Sequence, residues 1–251
     1  MPDPIAFEIF GYSVRWYGVL ISLAMLLGVL IALKRGEKKH IIGDDLLDVL
    51  IVAIPCAIVG ARIWYVLFSL DYYLKAPSEI IAIWHGGLGI HGGIIGGILG
   101  GYIVCKRKKI DFLTALDVVA PAFSLGQAIG RWGNFFNQEA YGRETSLPWA
   151  ITVNDPAKGL IQVHPTFFYE FIWNLLVFGL LLIYEKKYKK SEGELIAIYA
   201  IAYSIGRFFI EGLRTDSLYF MGLRTAQLVS IGAIIIGALL LGRLRKGTKK
   251  M

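Results

Sequence analysis

Cysteine is scarce in this chain, and its scarcity is informative. The only two, Cys56 and Cys105, stand apart inside apolar runs with no CxxC pair, which excludes a disulfide framework and a cysteine metal site. Both read as small buried hydrophobes. Neither follows a lipobox after a signal peptide, so the chain is not expected to be a lipoprotein itself. The four histidines match no metal-ligand spacing. A GxSxG elbow is also missing, since Ser124 and Ser204 sit in AFSLG and AYSIG, which argues against a serine protease within the membrane. No basic residue precedes Arg15 and no small-residue cleavage site closes the first apolar run, so a cleaved signal peptide is not expected. With no internal repeat, low-complexity tract or soluble stretch, residues 1–251 read as a single polytopic membrane domain.

What the chain has in abundance is apolar length. Mean hydropathy is +0.59 and 56% of residues are hydrophobic, too greasy for one soluble core. Runs long enough to cross ~30 Å of hydrocarbon extend roughly over Tyr17–Leu33, Leu46–Leu70, Leu88–Val104, Phe112–Ile129, Thr166–Tyr184, Glu194–Ile210 and Leu223–Leu241. Basic residues fix their direction. Lys34, Arg35, Lys38 and Lys39 follow the first run, and Lys106, Arg107, Lys108 and Lys109 the third. Lys186, Lys187, Lys189 and Lys190 follow the fifth, and Arg243, Arg245, Lys246, Lys249 and Lys250 the seventh. These 17 of the 26 Lys and Arg residues all follow odd-numbered runs, as a positive inside requires. The expected fold is therefore an all-α membrane protein with seven transmembrane helices, N-terminus out and C-terminus in, and a small extracytoplasmic elaboration between spans 4 and 5, about residues 131–165. The net charge of +7 is then a topology signal with affinity for anionic lipid, and nucleic acid is not implied.

On the outer side, Asp71–Trp84 is aromatic and amphipathic enough to lie along the interface. Within 131–164, PWAITV, NDPAKG and LIQV read as two extended runs about a turn, a short hairpin. Gly92, Gly96 and Gly100, with Gly93, Gly97 and Gly101 beside them, put small residues at every fourth position of the third span. Close helix packing is the ordinary meaning of such a stripe.

Nine basic residues lie outside the inner clusters: Arg15, Arg62, Lys75, Arg131, Arg143, Lys158, Arg207, Arg214 and Arg224. Lys75, Arg143 and Lys158 fall in outer loops. Arg62, Arg131 and Arg207 lie within or at the edge of apolar spans, where an unpaired arginine costs about 2.5–3.5 kcal/mol. Something anionic should meet them. Tyr199, Tyr203, Arg207 and Glu211 recur at intervals of four, on one helical face, with Arg214 and Asp216 just beyond. Arg131, Asn134 and Gln138 share another face, with Asn137 and Glu139 nearby. Arginine's planar fork suits phosphate oxygens, so two arginines from different helices make a pocket for a phospholipid headgroup. His91, in HGGLGIHGG, is either a structural hydrogen-bond donor or a general base. His164 before Pro165 reads as a helix-start residue, His40 as solvated, and His85, at the outer mouth of the third span, as a weaker candidate than His91.

Taken together, HGGLGIHGG, GRWGNFFNQEAYG, HPTFFYE and YSIGRFFIEGLRTD resemble the prolipoprotein diacylglyceryl transferases, a family of bacterial membrane enzymes. The likeness runs from RWYG at 15–18 to the basic tail. It implies transfer of the diacylglyceryl group of phosphatidylglycerol to the lipobox cysteine thiol of a preprolipoprotein, forming a thioether and releasing glycerol phosphate. It further implies a monomer in the bacterial cytoplasmic (inner) membrane, with no metal or cofactor. By position the family's important residues fall on Tyr17, His91, Arg131, Asn134, Glu139, Gly142, Tyr203, Arg207, Glu211 and Arg214. In that reading Arg131 and Arg207 clamp the phosphate and Asn134 helps orient it. Either His91 or solvent accepts the thiol proton, Tyr17, Glu139 and Gly142 help bind substrate, and Tyr203, Glu211 and Arg214 support Arg207 and form a gate. The chain departs from the family pattern at Gln138, where many members have Gly, and at Phe167–Phe168, where Gln-Leu is common. A membrane transporter of an anionic or lipid substrate is the competing class. The lack of inverted-repeat symmetry and the crowding of polar residues at one face count against it.

Overall fold

A computed structural model describes residues 2–248, so Lys249 and Lys250 of the last basic cluster lie outside the described residues. Each of the seven apolar runs forms a helix: α1 (Trp16–Glu37), α2 (Gly43–Leu67), α4 (Ile90–Lys108), α5 (Phe112–Asn137), α6 (Thr166–Lys187), α7 (Glu194–Glu211) and α8 (Thr225–Thr248). A single-turn helix, α3 (Leu70–Tyr73), follows α2. Five of them, α1, α2, α5, α6 and α8, are long and apolar enough to cross a membrane. In α4 the glycine pairs dilute hydropathy, and in α7 Glu194, Arg207 and Glu211 interrupt it. The last turns of α1, α4, α6 and α8 are basic and those of α2, α5 and α7 are not. Cations there complement the partial negative charge of a helix C-terminus.

The chain divides into two compact units, residues 32–115 and residues 1–31 with 116–251. In the 32–115 unit the glycine stripe lets α2 and α4 approach backbone to backbone. A Cβ on Gly92 would sit 2.2 Å from the Gly60 carbonyl oxygen, and one on Gly96 would sit 2.2 Å from that of Cys56. This is close helix packing. Beside it, Val49, Val104, Cys105 and Ala115 form a buried cluster, and Lys108 ties the end of α4 to Asp45 and Asp48 at 2.8 and 2.6 Å. Cys105 is fully buried as expected, whereas Cys56 is half-buried. The 71–84 stretch holds the end of α3 and 3-10 turns at Pro77–Ile81 and Ile83–His85. The expectation of an anion at Arg62 is not met, because main-chain carbonyls take up its donors.

The other unit packs α5, α6 and α7 around Ala120, Val177, Leu181 and Leu195. The turn from α6 into α7 is fixed by a buried carboxylate: Asp117 accepts from the backbone N–H groups of Gly193 and Ile196 at 2.8 and 2.9 Å and pairs with Lys189 at 2.7 Å. It thus supplies partners to the open N–H groups at the start of α7. The expected hairpin is present as β3 (Ile151–Asp155) and β4 (Gly159–Val163), paired antiparallel from Ile151↔Val163 to Asp155↔Gly159. Two further hairpins were not foreseen. The strands β1 (Ile5–Ile9) and β2 (Tyr12–Arg15) precede α1, and the two-residue strands β5 (Tyr219–Phe220) and β6 (Leu223–Arg224) precede α8.

Candidate functional site

In the larger unit the polar residues collect where α5 and α7 end and α1 and α6 begin. Helical spacing places them: Arg131 and Asn134 are one turn apart on α5, as are Arg207 and Glu211 on α7. The centre is a residue the sequence reading passed over, Glu170, four residues into α6 and 3% exposed. Its Oε2 lies 2.7 Å from Arg131 Nη2, and its Oε1 accepts from Arg207 Nη1 at 2.9 Å and lies 3.6 Å from Arg214 Nη1. One carboxylate therefore joins three arginines from three segments. Arg207 Nη2 is also 2.6 Å from Glu211 Oε2, the pair expected within α7. The sequence signal for Glu170 was available as a lone carboxylate in the apolar run TFFYEFIW, where an ionisable residue needs a partner.

The remaining groups orient the arginines. Arg131 Nη1 donates to Asn134 Oδ1 at 3.4 Å, and Asn134 Nδ2 donates to Glu139 Oε1 at 2.8 Å. Asn134 thus links Arg131 to Glu139. Arg214 makes a two-pronged contact with Asp216, Nε to Oδ1 at 2.8 Å and Nη2 to Oδ2 at 2.6 Å. Burial alone would raise the Asp216 carboxyl, but the Arg214 guanidinium beside it holds it below its ordinary value. Arg224, which the sequence left unassigned, donates to the carbonyl oxygens of Glu211 and Arg214 and to Ser217 Oγ, fixing the 211–217 turn.

Tyr17 and Gly142 are placed by close packing. A Cβ on Gly133 would lie 2.4 Å from the Tyr17 ring, so that glycine makes room for it. Gly142 is buried: its N–H donates to the His164 carbonyl at 3.0 Å, it bridges Arg214, and a Cβ there would lie 2.7 Å from His164 Cβ. Tyr203 stacks on Tyr199, whose hydroxyl donates to Gln127 Oε1 at 2.8 Å. Gln138 adopts φ +51°, a left-handed conformation that glycine takes without strain, which accounts for the glycine expected of the family there and not for the glutamine of this chain. Its Oε1 accepts from the Asn154 N–H at 3.2 Å, tying the end of α5 to the β3–β4 hairpin. Phe167, the other departure, packs on Trp132 and Phe135.

His91 belongs to the 32–115 unit. It lies in the first turn of α4, with its ring 5.7 Å from that of Trp64. No group of three or more His, Cys, Asp or Glu residues able to hold a metal occurs among the described residues.

The chain matches the family model described as prolipoprotein diacylglyceryl transferase over residues 4–243. Among curated relatives, a phosphatidylglycerol–prolipoprotein diacylglyceryl transferase of Finegoldia magna is 51% identical, covering 95% of this chain and 94% of its own length. Proteins of the same name from Clostridioides difficile and Streptococcus pneumoniae are 49% and 46% identical. They cover 94% and 96% of this chain and 92% and 93% of their own lengths. The chain belongs to the prolipoprotein diacylglyceryl transferase family.

Proposed function

We propose that this chain transfers the diacylglyceryl group of phosphatidylglycerol to the lipobox cysteine thiol of a preprolipoprotein. The carrying observation is the joining of Arg131, Arg207 and Arg214 through Glu170 at one end of the helix bundle, in a chain about half identical to transferases of that name. The protein works as a single seven-span domain with its N-terminus out and C-terminus in, as a monomer in the bacterial inner membrane. The basic helix ends are cytoplasmic, and the arginines and the 131–165 elaboration lie on the outer side.

In the reaction a new S–C bond forms at the glycerol carbon that bears the phosphate. The C–O bond to phosphate breaks, and glycerol phosphate leaves with its electron pair. A thiolate is the competent nucleophile, and His91 takes the thiol proton. Arg131 and Arg207 present guanidinium N–H groups to the phosphate oxygens and stabilise the charge that grows on the leaving group. Asn134 and Glu139 hold Arg131, while Glu211 holds Arg207. Tyr17, Glu139 and Gly142 help bind substrate, and Tyr203 and Arg214 complete a gate.

The test is direct. Purified protein with phosphatidylglycerol and a lipobox peptide should yield the diacylglyceryl adduct on cysteine, and a Cys→Ala peptide should yield none. Intact phosphatidylglycerol with no adduct refutes the assignment and turns the reading toward transport.

A further inference from the structure

We propose that Arg62 is a positioning residue for the transfer: it fixes the 79–87 loop and, through it, the start of α4 that carries His91. The inference rests on the role given to His91 above. Arg62 lies on α2 and is 7% exposed. Its Nε donates to the Ile80 carbonyl at 2.9 Å. Nη1 donates to the Gly86 and Gly87 carbonyls at 2.6 and 2.9 Å, and Nη2 to those of Glu79 and Ala82 at 2.5 and 3.4 Å. The Tyr73 ring lies 5.1 Å from the guanidinium carbon. Five carbonyls along nine residues of chain, 79–87, thus converge on one planar fork, whose donors diverge at fixed angles. A lysine at the same place has a single nitrogen and cannot reach both ends of that array.

The loop needs such an anchor. Residues 77–85 form only 3-10 turns, and Gly86 and Gly87 follow with φ +88° and +76°. The loop's side-chain ion pair, Glu79 with His85, is largely exposed and holds little. Beyond Gly87 the chain stays clamped to the same face of α2. The Gly89 N–H donates to the Ala61 carbonyl at 2.8 Å, a Cβ on Gly89 would lie 2.6 Å from Trp64, and Trp64 faces the His91 ring. Ala61, Arg62 and Trp64 therefore grip consecutive points of the 79–91 path. Releasing Arg62, which holds the 79–87 approach, lets the start of α4, and the imidazole on it, shift. Displacement of a catalytic group by about 1 Å costs on the order of 10²-fold in rate.

The experiment is a double-mutant cycle on the full chain with phosphatidylglycerol and a lipobox peptide, read as kcat and KM. Amide exchange and thermal unfolding are followed alongside. Arg62→Lys should lower kcat about 10- to 100-fold, leave KM for phosphatidylglycerol nearly unchanged, and speed exchange over residues 79–91 alone. In a His91→Gln background the same change should cost little more, because both act through one group. If Arg62→Lys does not fold, Gly87→Ala takes its place, since its Cβ would lie 2.6 Å from Arg62 Nη1 and disturb the same anchor. Full activity in the anchor variant, additive losses in the cycle, or an unchanged rate in His91→Gln alone each overturns the proposal. If the unmodified protein forms no adduct, the transfer reading itself fails, while the exchange measurement still reports on the anchor.

Discussion

Replacing Glu170 by Gln is the most demanding perturbation of the site, because one carboxylate serves three arginines at once. The two side chains have nearly the same shape, so the change removes charge and little else. Arg207 keeps Glu211, and Arg214 keeps Asp216. Among the described residues, Arg131 is left with Asn134 Oδ1 at 3.4 Å as its close polar side-chain partner. Breaking a buried ion pair by removing one member costs about 3–5 kcal/mol. The glutamine carbonyl recovers about 1 kcal/mol as an acceptor, which leaves an expected loss of about 2–4 kcal/mol. With Arg131 untethered, transfer should fall on the order of 10²-fold. Reversible unfolding in detergent measures the first quantity, and the adduct assay measures the second. A variant with stability within about 0.5 kcal/mol of the parent and normal transfer would refute the view that Glu170 organises the site. A lower KM for phosphatidylglycerol at an undiminished rate would instead show that Glu170 competes with the lipid phosphate.

Three other outcomes are expected. Arg207→Lys keeps the charge but cannot reach Glu170 and Glu211 together through a fork; the adduct assay should show most transfer lost. Gly206→Ala places a Cβ 2.1 Å from Trp173 Nε1, which donates to the Ala202 carbonyl; a thermal or denaturant melt should show a loss of about 1–3 kcal/mol from overpacking. In the β3–β4 hairpin the Asp155 carboxyl is held below its ordinary value by the Ala157 N–H, then by the Tyr141 hydroxyl. Its contribution is therefore present above the usual carboxylate range and lost as pH falls through the depressed value. Amide protection over 151–163 should drop in acid, and Asp155→Asn should abolish that dependence.

The helices were legible because each is a long, mostly apolar run bounded by charged or turn-forming residues, and the β3–β4 hairpin because Asn154-Asp155-Pro156 punctuates two short β-prone segments. Arg131, Arg207 and Glu211 stood out as charges that the basic helix ends do not explain. Glu170 escaped for the converse reason: a cation stands out against the basic helix ends, whereas the acid that answers it sits 37 residues before Arg207 on a different helix. Arg62 and Arg224 were unreadable in another way. Their partners are carbonyls, which every residue has, so no residue type marks where such an arginine will bond. The β1–β2 hairpin escaped because its two-residue turn, Phe10-Gly11, takes positive φ at both positions without the Asn or Asp that usually announces such a turn.

Arg131, Arg207 and Arg214 stand in direct contact with Glu170, Glu211 and Asp216, so the cluster carries no net charge while it waits. A neutral cluster exerts little long-range pull on anions, and ionic strength should scarcely affect how fast lipid arrives. The proposed lipid already shares the membrane with the site and needs no attraction from a distance. What its phosphate meets on arrival is a choice of partners: each guanidinium bond it gains is exchanged for one the arginine already had with a carboxylate. Selection among headgroups then depends on how well a phosphodiester matches a geometry that carboxylates have kept open.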